Sequence, residues 1–305
     1  MAVRLDLRQI RALAAIVRGG SASAAAETLA ISQPAVSKII AGMEDELGYR
    51  LFRRSGRRLA PTPEALALMP LAERVLGELD RLNRGAEAVG RGSGGQVSIA
   101  GNHTLISALA ARAATRLRSV RPEISVSLIV LPPNETVTSV VSGHVDIGLS
   151  YGPLHHSQLV IEDVGAWACA CVFPSGHRLE GLPTVSPRDL AGETLLTYSE
   201  SSPTGAALRR QFHAEQHELV PAIILSSTPL VLDMVRNGQG VGLVDTFVPF
   251  ATAYPDLSGR PLTPRIENVS KLLVSTAGAP SSAAIALAAE VRAVARALGT
   301  AGSLG

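Results

Sequence analysis

Apolar positions along the first ninety residues recur at helical spacing, and the elements they predict are helices. Between Leu7 and Val17, the residues Leu7, Ile10, Leu13, Ala14 and Val17 share one face, and the glycines of "RGGS" stop that helix. Ser21 or Ser23 can cap the next helix, "SASAAAETLA", whose alanines permit a neighbour to approach closely. In the third, Ser32 is the expected N-cap and Pro34 sits in the first turn, where its missing N–H costs nothing. Val36, Ile39, Ile40, Met43 and Leu47 make its buried stripe, and Gly48 ends it. A fourth helix opens with Thr62 as cap and Pro63 in first position. There Leu68, Ala72, Val75, Leu79, Leu82, Ala86 and Val89 keep a seven-residue repeat for three heptads, which predicts a symmetric dimer through that seam. Pro70 interrupts the pattern and predicts a kink near 67–70, or a helix that starts later.

"GRGSGG" at 90–95 is a flexible break. Beyond it the pattern changes to short apolar runs alternating with helical stretches, which predicts α/β architecture with largely parallel sheets. Strands are expected at "QVSIAG", "ISVSLIVLP", "VDIGLSY", "LVIEDVG", "WACACVFP", "TLLTYS", "AIILSS", "VGLVDTF" and "KLLVST". Helices are expected near 104–118, 202–216, 229–237 and 282–298. The chain returns to a strand–helix pair at its end, consistent with two lobes joined by two crossings.

Charge changes the picture of the first segment. Residues 1–60 carry a net charge of +5, and the remainder −3, within a chain of net +2. A basic head on a mildly acidic body predicts a polyanion partner for the head alone. The second and third helices have the spacing of a helix-turn-helix, whose second helix enters the major groove of double-stranded DNA. Ser32, Gln33, Pro34, Ser37 and Lys38 then lie at the groove-facing end: Gln33 can read an adenine edge, and Lys38 a guanine or a phosphate. The acids Glu44, Asp45 and Glu46 fall at the far end, away from DNA. "RLFRRSGRRLAP" centres a turn on Ser55 and Gly56, with Arg50, Arg53, Arg54, Arg57 and Arg58 around it. Such a hairpin, or wing, presents cations to the flanking phosphates, setting affinity and salt dependence rather than sequence choice.

"LRQIRALAAIVRGGSASAAAETLAISQPAVSKIIAGMEDELGYRLFRR" closely resembles the winged helix-turn-helix of the LysR-type transcriptional regulator family, with Met43 where leucine is usual. "GRRLAPTPEA", "VFPSGHRL" and "MVRNGQGVGLV" resemble the branch of lysine-biosynthesis and opine-catabolism regulators. The resemblance implies an α/β protein with an N-terminal all-α winged helix-turn-helix, a long linker helix and a two-lobed effector domain similar to periplasmic binding proteins. The expected domains are 1–60, 61–90 and 91–305, with one lobe at about 95–160 and 267–300 and the other at about 161–266. The implied partners are DNA, a small-molecule effector, a second copy of the chain (a homodimer, and a homotetramer through the effector domains) and RNA polymerase.

Open α/β sheets bind ligands beyond the carboxyl ends of their strands. At those junctions stand Asn102, His103 and Thr104; Ser199, Glu200, Ser201 and Ser202; Thr228; and Asp245 and Thr246. Their hydroxyls and amides can cap helices and turn N–H groups toward a shared cleft, a cradle for a carboxylate. Asp245 and Glu200 could meet a ligand ammonium, so an amino-acid-like or opine-like effector is expected.

Catalysis, cofactors and metals are not expected. "GQGVG" joins a helix to a strand, the reverse of a dinucleotide loop, and the seven histidines lack ligand spacing. Cys169 and Cys171, two apart in "WACACVFP", are expected to be buried thiols on one face of a strand. No run of eighteen apolar residues suggests a membrane span, and the N-terminus has no signal-peptide core, so a cytoplasmic protein is expected. The rival readings are a cytosolic enzyme and a solute-binding protein acting on a small carboxylate.

Overall fold

Three polar side chains start the first three helices of the computed structural model, which describes residues 4–55, 58–90, 95–246 and 248–301. Asp6 forms a capping box with Gln9 at the head of α1 (Leu7–Gly19), Ser21 accepts from the Ala24 N–H to open α2 (Ala22–Leu29), and Ser32 caps α3 (Gln33–Leu47). Each such cap contributes about 1 kcal/mol. Gly48, at φ +76°, ends α3 in the left-handed conformation that a Cβ would disfavour. Val36, Ile40 and Met43 of α3 pack with Leu13 and Ile16 of α1 and Ala25 of α2, while Ile39 and Leu47 are partly buried and Leu7 stays exposed.

A hairpin follows, β1 (Phe52–Ser55) antiparallel to β2 (Arg58–Pro61), with Phe52 opposite Pro61. Thr62 then caps α4 (Pro63–Gly90), its hydroxyl donating to the Arg50 carbonyl and accepting from the Ala65 N–H. The helix neither starts late nor breaks: it runs as one element through Pro70. Its heptad seam divides in two. Leu68 and Ala72 pack in the helix-turn-helix core, whereas Val75 and Leu82 are exposed, Leu82 by 68%.

The chain forms two units that part near Glu87. The second unit contains two five-stranded sheets. The first sheet has the order β4-β3-β5-β12-β6, built from β3 (Gln96–Gly101), β4 (Ser125–Val130), β5 (Ile147–Tyr151), β6 (Leu159–Ala168) and β12 (Glu267–Ser275). The second has the order β11-β7-β10-β8-β9, from β7 (Ala170–Pro174), β8 (Leu195–Tyr198), β9 (Ile223–Leu225), β10 (Val241–Val244) and β11 (Leu257–Pro261). The sheets are mixed rather than largely parallel. β3, β4 and β5 run parallel, as do β8, β9 and β10, but the strands beside the crossings (β6, β12, β7 and β11) pair antiparallel.

Helices cover both sheets. The first lobe carries α5 (His103–Leu105), a π-helical segment (Ile106–Ala110), α6 (Ala111–Val120), α7 (Pro133–Val141) and α10 (Ser282–Ala301); the second carries α8 (Pro203–Ala214) and α9 (Thr228–Arg236). Each lobe has its own core, centred on Ile99, Leu109, Leu149 and Leu287 in one and on Phe173, Leu196, Leu208 and Leu243 in the other.

The boundary between the lobes falls later than the expected 160. β6 pairs with β12 in the first sheet from Leu159 to Ala168, with one break in register at Val164. Cys169 is therefore not in one strand with Cys171. It is the crossing residue, its N–H donating to the Ile266 carbonyl (2.8 Å) and its carbonyl accepting from the Leu262 N–H (3.1 Å), so the two crossings are bonded side by side. Both thiols are buried, and burial pushes each well above its ordinary range, leaving them unreactive. Among the described residues, no helix is long and apolar enough to cross a membrane and no three His, Cys, Asp or Glu side chains converge as metal ligands.

Candidate nucleic-acid interface and interlobe site

In the first unit, the cap and stripe of α3 force its other face outward. Ser32, Gln33, Pro34, Ser37 and Lys38 are all exposed, while Val36 and Ile40 between and beyond them are buried. Gln33 donates from its amide to the Ser37 hydroxyl at 2.8 Å, which holds it along the helix with its amide edge in water. Arg53 is exposed on β1, and the backbones of Arg54 and Arg58 pair with Leu59 and Ser55. Arg57 lies outside the described residues.

Two of the charged residues do other work. Glu44 is not a solvated acid at the far end of α3: it is 7% exposed and accepts from the backbone N–H groups of Leu51 (2.7 Å) and Phe52 (3.1 Å). Arg50 also pairs with it at 2.6 Å, so this arginine belongs to the anchor of the hairpin rather than to its free cations. The acid fixes the hairpin to the helix through backbone groups that sequence spacing does not display.

In the second unit, parallel strands bring the predicted polar junctions to the same sheet edges. Asn102 caps the helix that follows β3 by accepting from the Leu105 N–H (2.8 Å), and the half-buried His103 lies 3.2 Å from the Ser107 hydroxyl. Ser202 caps α8 by accepting from the Gly205 N–H (3.0 Å) and donates to the Ser199 carbonyl; Ser199 and Ser201 hydroxyls lie 2.9 Å apart. Gly205 is required there, since a Cβ would stand 2.1 Å from the Ser199 carbonyl oxygen.

The centre of the site is a buried hydroxyl cluster around Asp245, which is 3% exposed. Its Oδ1 accepts from Thr228 Oγ1 (2.5 Å), the Thr246 N–H (3.0 Å), Tyr198 Oη (3.1 Å) and Thr104 Oγ1 (3.3 Å). Thr228 Oγ1 also lies 2.7 Å from both Thr104 Oγ1 and Tyr198 Oη. Thr104 comes from the first lobe and the others from the second, so the cluster clasps the lobes together. Burial raises the Asp245 carboxyl above its usual range against the opposing pull of these donors. Burial and then the neighbouring Asp245 hold the Tyr198 phenol well above its own.

Glu200 does not join this group. It is exposed and pairs with Arg209 at 2.7 Å, so the expected pairing of Asp245 and Glu200 around one ammonium is not formed. Asp245 itself is already surrounded by protein donors. Tyr198 went unmarked in the sequence because a tyrosine inside the apolar run "LLTY" has the look of core.

Both units have counterparts among known proteins. The family model for bacterial regulatory helix-turn-helix proteins of the lysR family matches residues 7–66, and that for the LysR substrate binding domain matches residues 90–296. The octopine catabolism/uptake operon regulatory protein OccR of Rhizobium meliloti is 30% identical over 241 residues, covering 79% of this chain and 80% of its own. The regulatory protein NocR of Agrobacterium fabrum is 34% identical over 250 residues, covering 80% and 81%. The crystal structure of CbnR, a LysR family transcriptional regulator, aligns over 95% of this chain and 99% of its own with a TM-score of 0.66 at 20% identity. CbnR complexed with its target DNA aligns with the same score over 95% and 100%.

Proposed function

The chain belongs to the LysR family of bacterial regulatory helix-turn-helix proteins, and on that premise we propose how it performs transcriptional regulation. The first turns of α3 enter the major groove, where Gln33 reads a base edge and Lys38 a base or phosphate, with Ser32, Pro34 and Ser37 shaping the approach. Arg53, Arg54, Arg57 and Arg58 grip the flanking phosphates. The observation that carries this reading is the free convex face of α3: five polar or small residues in water, directly opposite a sealed apolar stripe.

The effector is an amino-acid-like or other small carboxylate held between the lobes by Asn102, His103, Thr104, Ser199, Ser201, Ser202, Thr228 and Thr246. Glu200 stands at the margin. Asp245 acts from behind, by orienting hydroxyls. An effector that binds two arrangements of the lobes unequally shifts the balance between them, and through the paired DNA-binding heads it changes polymerase recruitment. Pairing of heads is supported by the exposed Val75 and Leu82 of α4, each of which gains about 1.5–3 kcal/mol if covered. Further assembly into a tetramer is supported by apolar residues exposed on the edge strands β4 (Leu128, Val130) and β9 (Ile224). The protein works in the cytoplasm and releases its effector unchanged; conversion of a bound carboxylate to product by the purified protein would favour an enzyme.

The test is Gln33→Ala on DNA selected by the wild-type protein and on random DNA. Specific binding should weaken by about 1–3 kcal/mol with random binding unchanged. Equal losses on both would remove Gln33 from base readout. A thermal-shift screen with amino acids, octopine and aromatic acids tests the effector class.

A further inference from the structure

The helix that opens the first lobe contains one turn that is not α-helical. α5, the π-helical segment and α6 follow one another without a gap from His103 to Val120, and the five residues Ile106–Ala110 form the wider turn. An α-helix advances about 100° per residue, so Leu105 and Leu117 would diverge by about 120° around an unbroken one. Both are instead buried in the same core. One extra residue held in the wider turn takes back about 100°, which returns the two leucines to one face.

The same correction aligns two polar residues. Thr104 and Arg112 would stand about 80° apart in an unbroken helix, and stand about 20° apart with the extra residue. Thr104 enters the Asp245 cluster of the second lobe. Arg112 is exposed and donates from Nη2 to the Pro249 carbonyl, also in the second lobe, at 3.0 Å. Along the helix axis the two residues are separated by about 12 Å. A single point of contact leaves one lobe free to turn on the other; two points so separated fix its orientation.

The receiving carbonyl is itself held. The proline ring fixes φ at Pro249, and Phe250 beside it is buried in the core of the second lobe. Arg236, the last residue of α9, donates to the Ala253 carbonyl (3.3 Å), pairs with both oxygens of Asp256 (2.9 Å each) and lies over the Tyr254 ring at 4.4 Å. α9 begins at Thr228, the partner of Thr104. One helix from each lobe thus carries an inner hydroxyl near its head and, two turns on, an arginine committed to the outer contact.

We propose that Arg112 is a positioning residue of the effector domain, a latch that with the Thr104 clasp fixes how one lobe sits on the other, and whose release lets the lobes part. The clasp is buried, whereas the latch stands in water, which replaces its bond when it opens. The latch is therefore the contact that gives way first. It sets how readily the domain opens whatever the chemistry of the effector, and so it is separate from the choice of a carboxylate.

The experiment compares full-length, ligand-free wild type with Arg112→Ala and, as control, Arg116→Ala. Arg116 carries the same charge one turn further on, but it pairs with Glu290 inside the first lobe. Alanine is the stronger helix former, so neither change weakens α6 through propensity. Hydrogen exchange is read at the Asp245 and Thr246 amides, which are buried beside Thr104. In Arg112→Ala their exchange should quicken about 3- to 10-fold, while the amides of Ala113, Ala114 and Leu117 keep the wild-type rate. As a second readout, spin labels on Glu123→Cys and Gln239→Cys report the distance between lobes, in labelled protein diluted with unlabelled chain. Both positions are exposed, and the native Cys169 and Cys171 are buried and stay unlabelled. The distance distribution should broaden in Arg112→Ala and match wild type in Arg116→Ala. Exchange at Thr246 within about twofold of wild type, an equal change in Arg116→Ala, or an unbroadened distribution would each overturn the latch. Quickened exchange at Ala113, Ala114 and Leu117 would mean that Arg112 serves its own helix, and would overturn it as well.

Discussion

Replacing Glu44 with alanine should loosen the hairpin of the DNA-binding head, by an amount that follows from its bonds. The carboxylate is the partner of two backbone N–H groups on residues that are themselves buried, Leu51 and Phe52. Each buried donor left without an acceptor costs about 1–3 kcal/mol. Some relaxation and water entry offset part of that sum, so a net loss of about 2–4 kcal/mol is expected. The exposed Arg50 pairing is left out of this figure, and Arg50→Ala should cost far less than Glu44→Ala. Hydrogen exchange of the Leu51 and Phe52 amides in the intact protein is the direct assay, since local opening sets their rate. At about 1.4 kcal/mol per factor of ten, exchange in Glu44→Ala should quicken about 30- to 1000-fold. Glu44→Gln, which keeps one acceptor oxygen, should fall between the two proteins. Exchange within about threefold of wild type in Glu44→Ala would refute the reasoning, because the hairpin would then be held by something other than this acid.

Other outcomes follow from the same structure. Arg53→Ala combined with Arg54→Ala should weaken binding to all DNA alike and flatten the dependence of log affinity on log salt, by roughly one unit for each phosphate no longer neutralised, measured by salt titration of binding. Leu82→Glu on α4 should shift the protein toward monomer in analytical ultracentrifugation while leaving the head folded, since that side chain is already exposed. Asp245→Asn should remove a pH dependence. The folded carboxyl is raised above its unfolded value, so the wild type binds the extra proton in the folded state and loses stability as pH climbs from near 4 through the folded value. The difference in denaturation free energy between the two proteins should therefore move in favour of Asp245→Asn over that window, and parallel profiles would contradict a buried acid.

The DNA-binding head was legible from local signals. Ser32, Pro34 and Gly48 each act within a turn of their own position, and the apolar stripe of α3 has one solution as a helix face. Glu44 was not legible, because it stands in a row of three acids and its partners arrive from a hairpin seven and eight residues away. In the α/β region the parallel strands could be found one by one, but their pairing could not. "WACACVFP" is one unbroken apolar run, and only the pairing of its two halves with different sheets shows where the chain crosses. "PNETVTSVV" forms α7 despite β-branched residues that favour strands, and "LSGRP" forms the edge strand β11 despite its glycine and proline. The polar junctions were found in sequence, yet which of them converge depends on distance. Thr104, Thr228 and Asp245 meet, and Glu200 turns to Arg209.

The paired crossings at Cys169 and Ile266 leave the lobes few ways to move. Two strands tied to each other where they pass between lobes act as a door hinge with one pin: sliding is blocked, and swinging about the pin is the soft motion. A ligand that displaces Thr104 from its clasp by a fraction of an ångström must therefore express itself as an angle. That angle grows into translation in proportion to distance from the pin, so the lobe tips feel the largest excursion. Substitutions at the pin can alter the response to an effector without touching the effector at all.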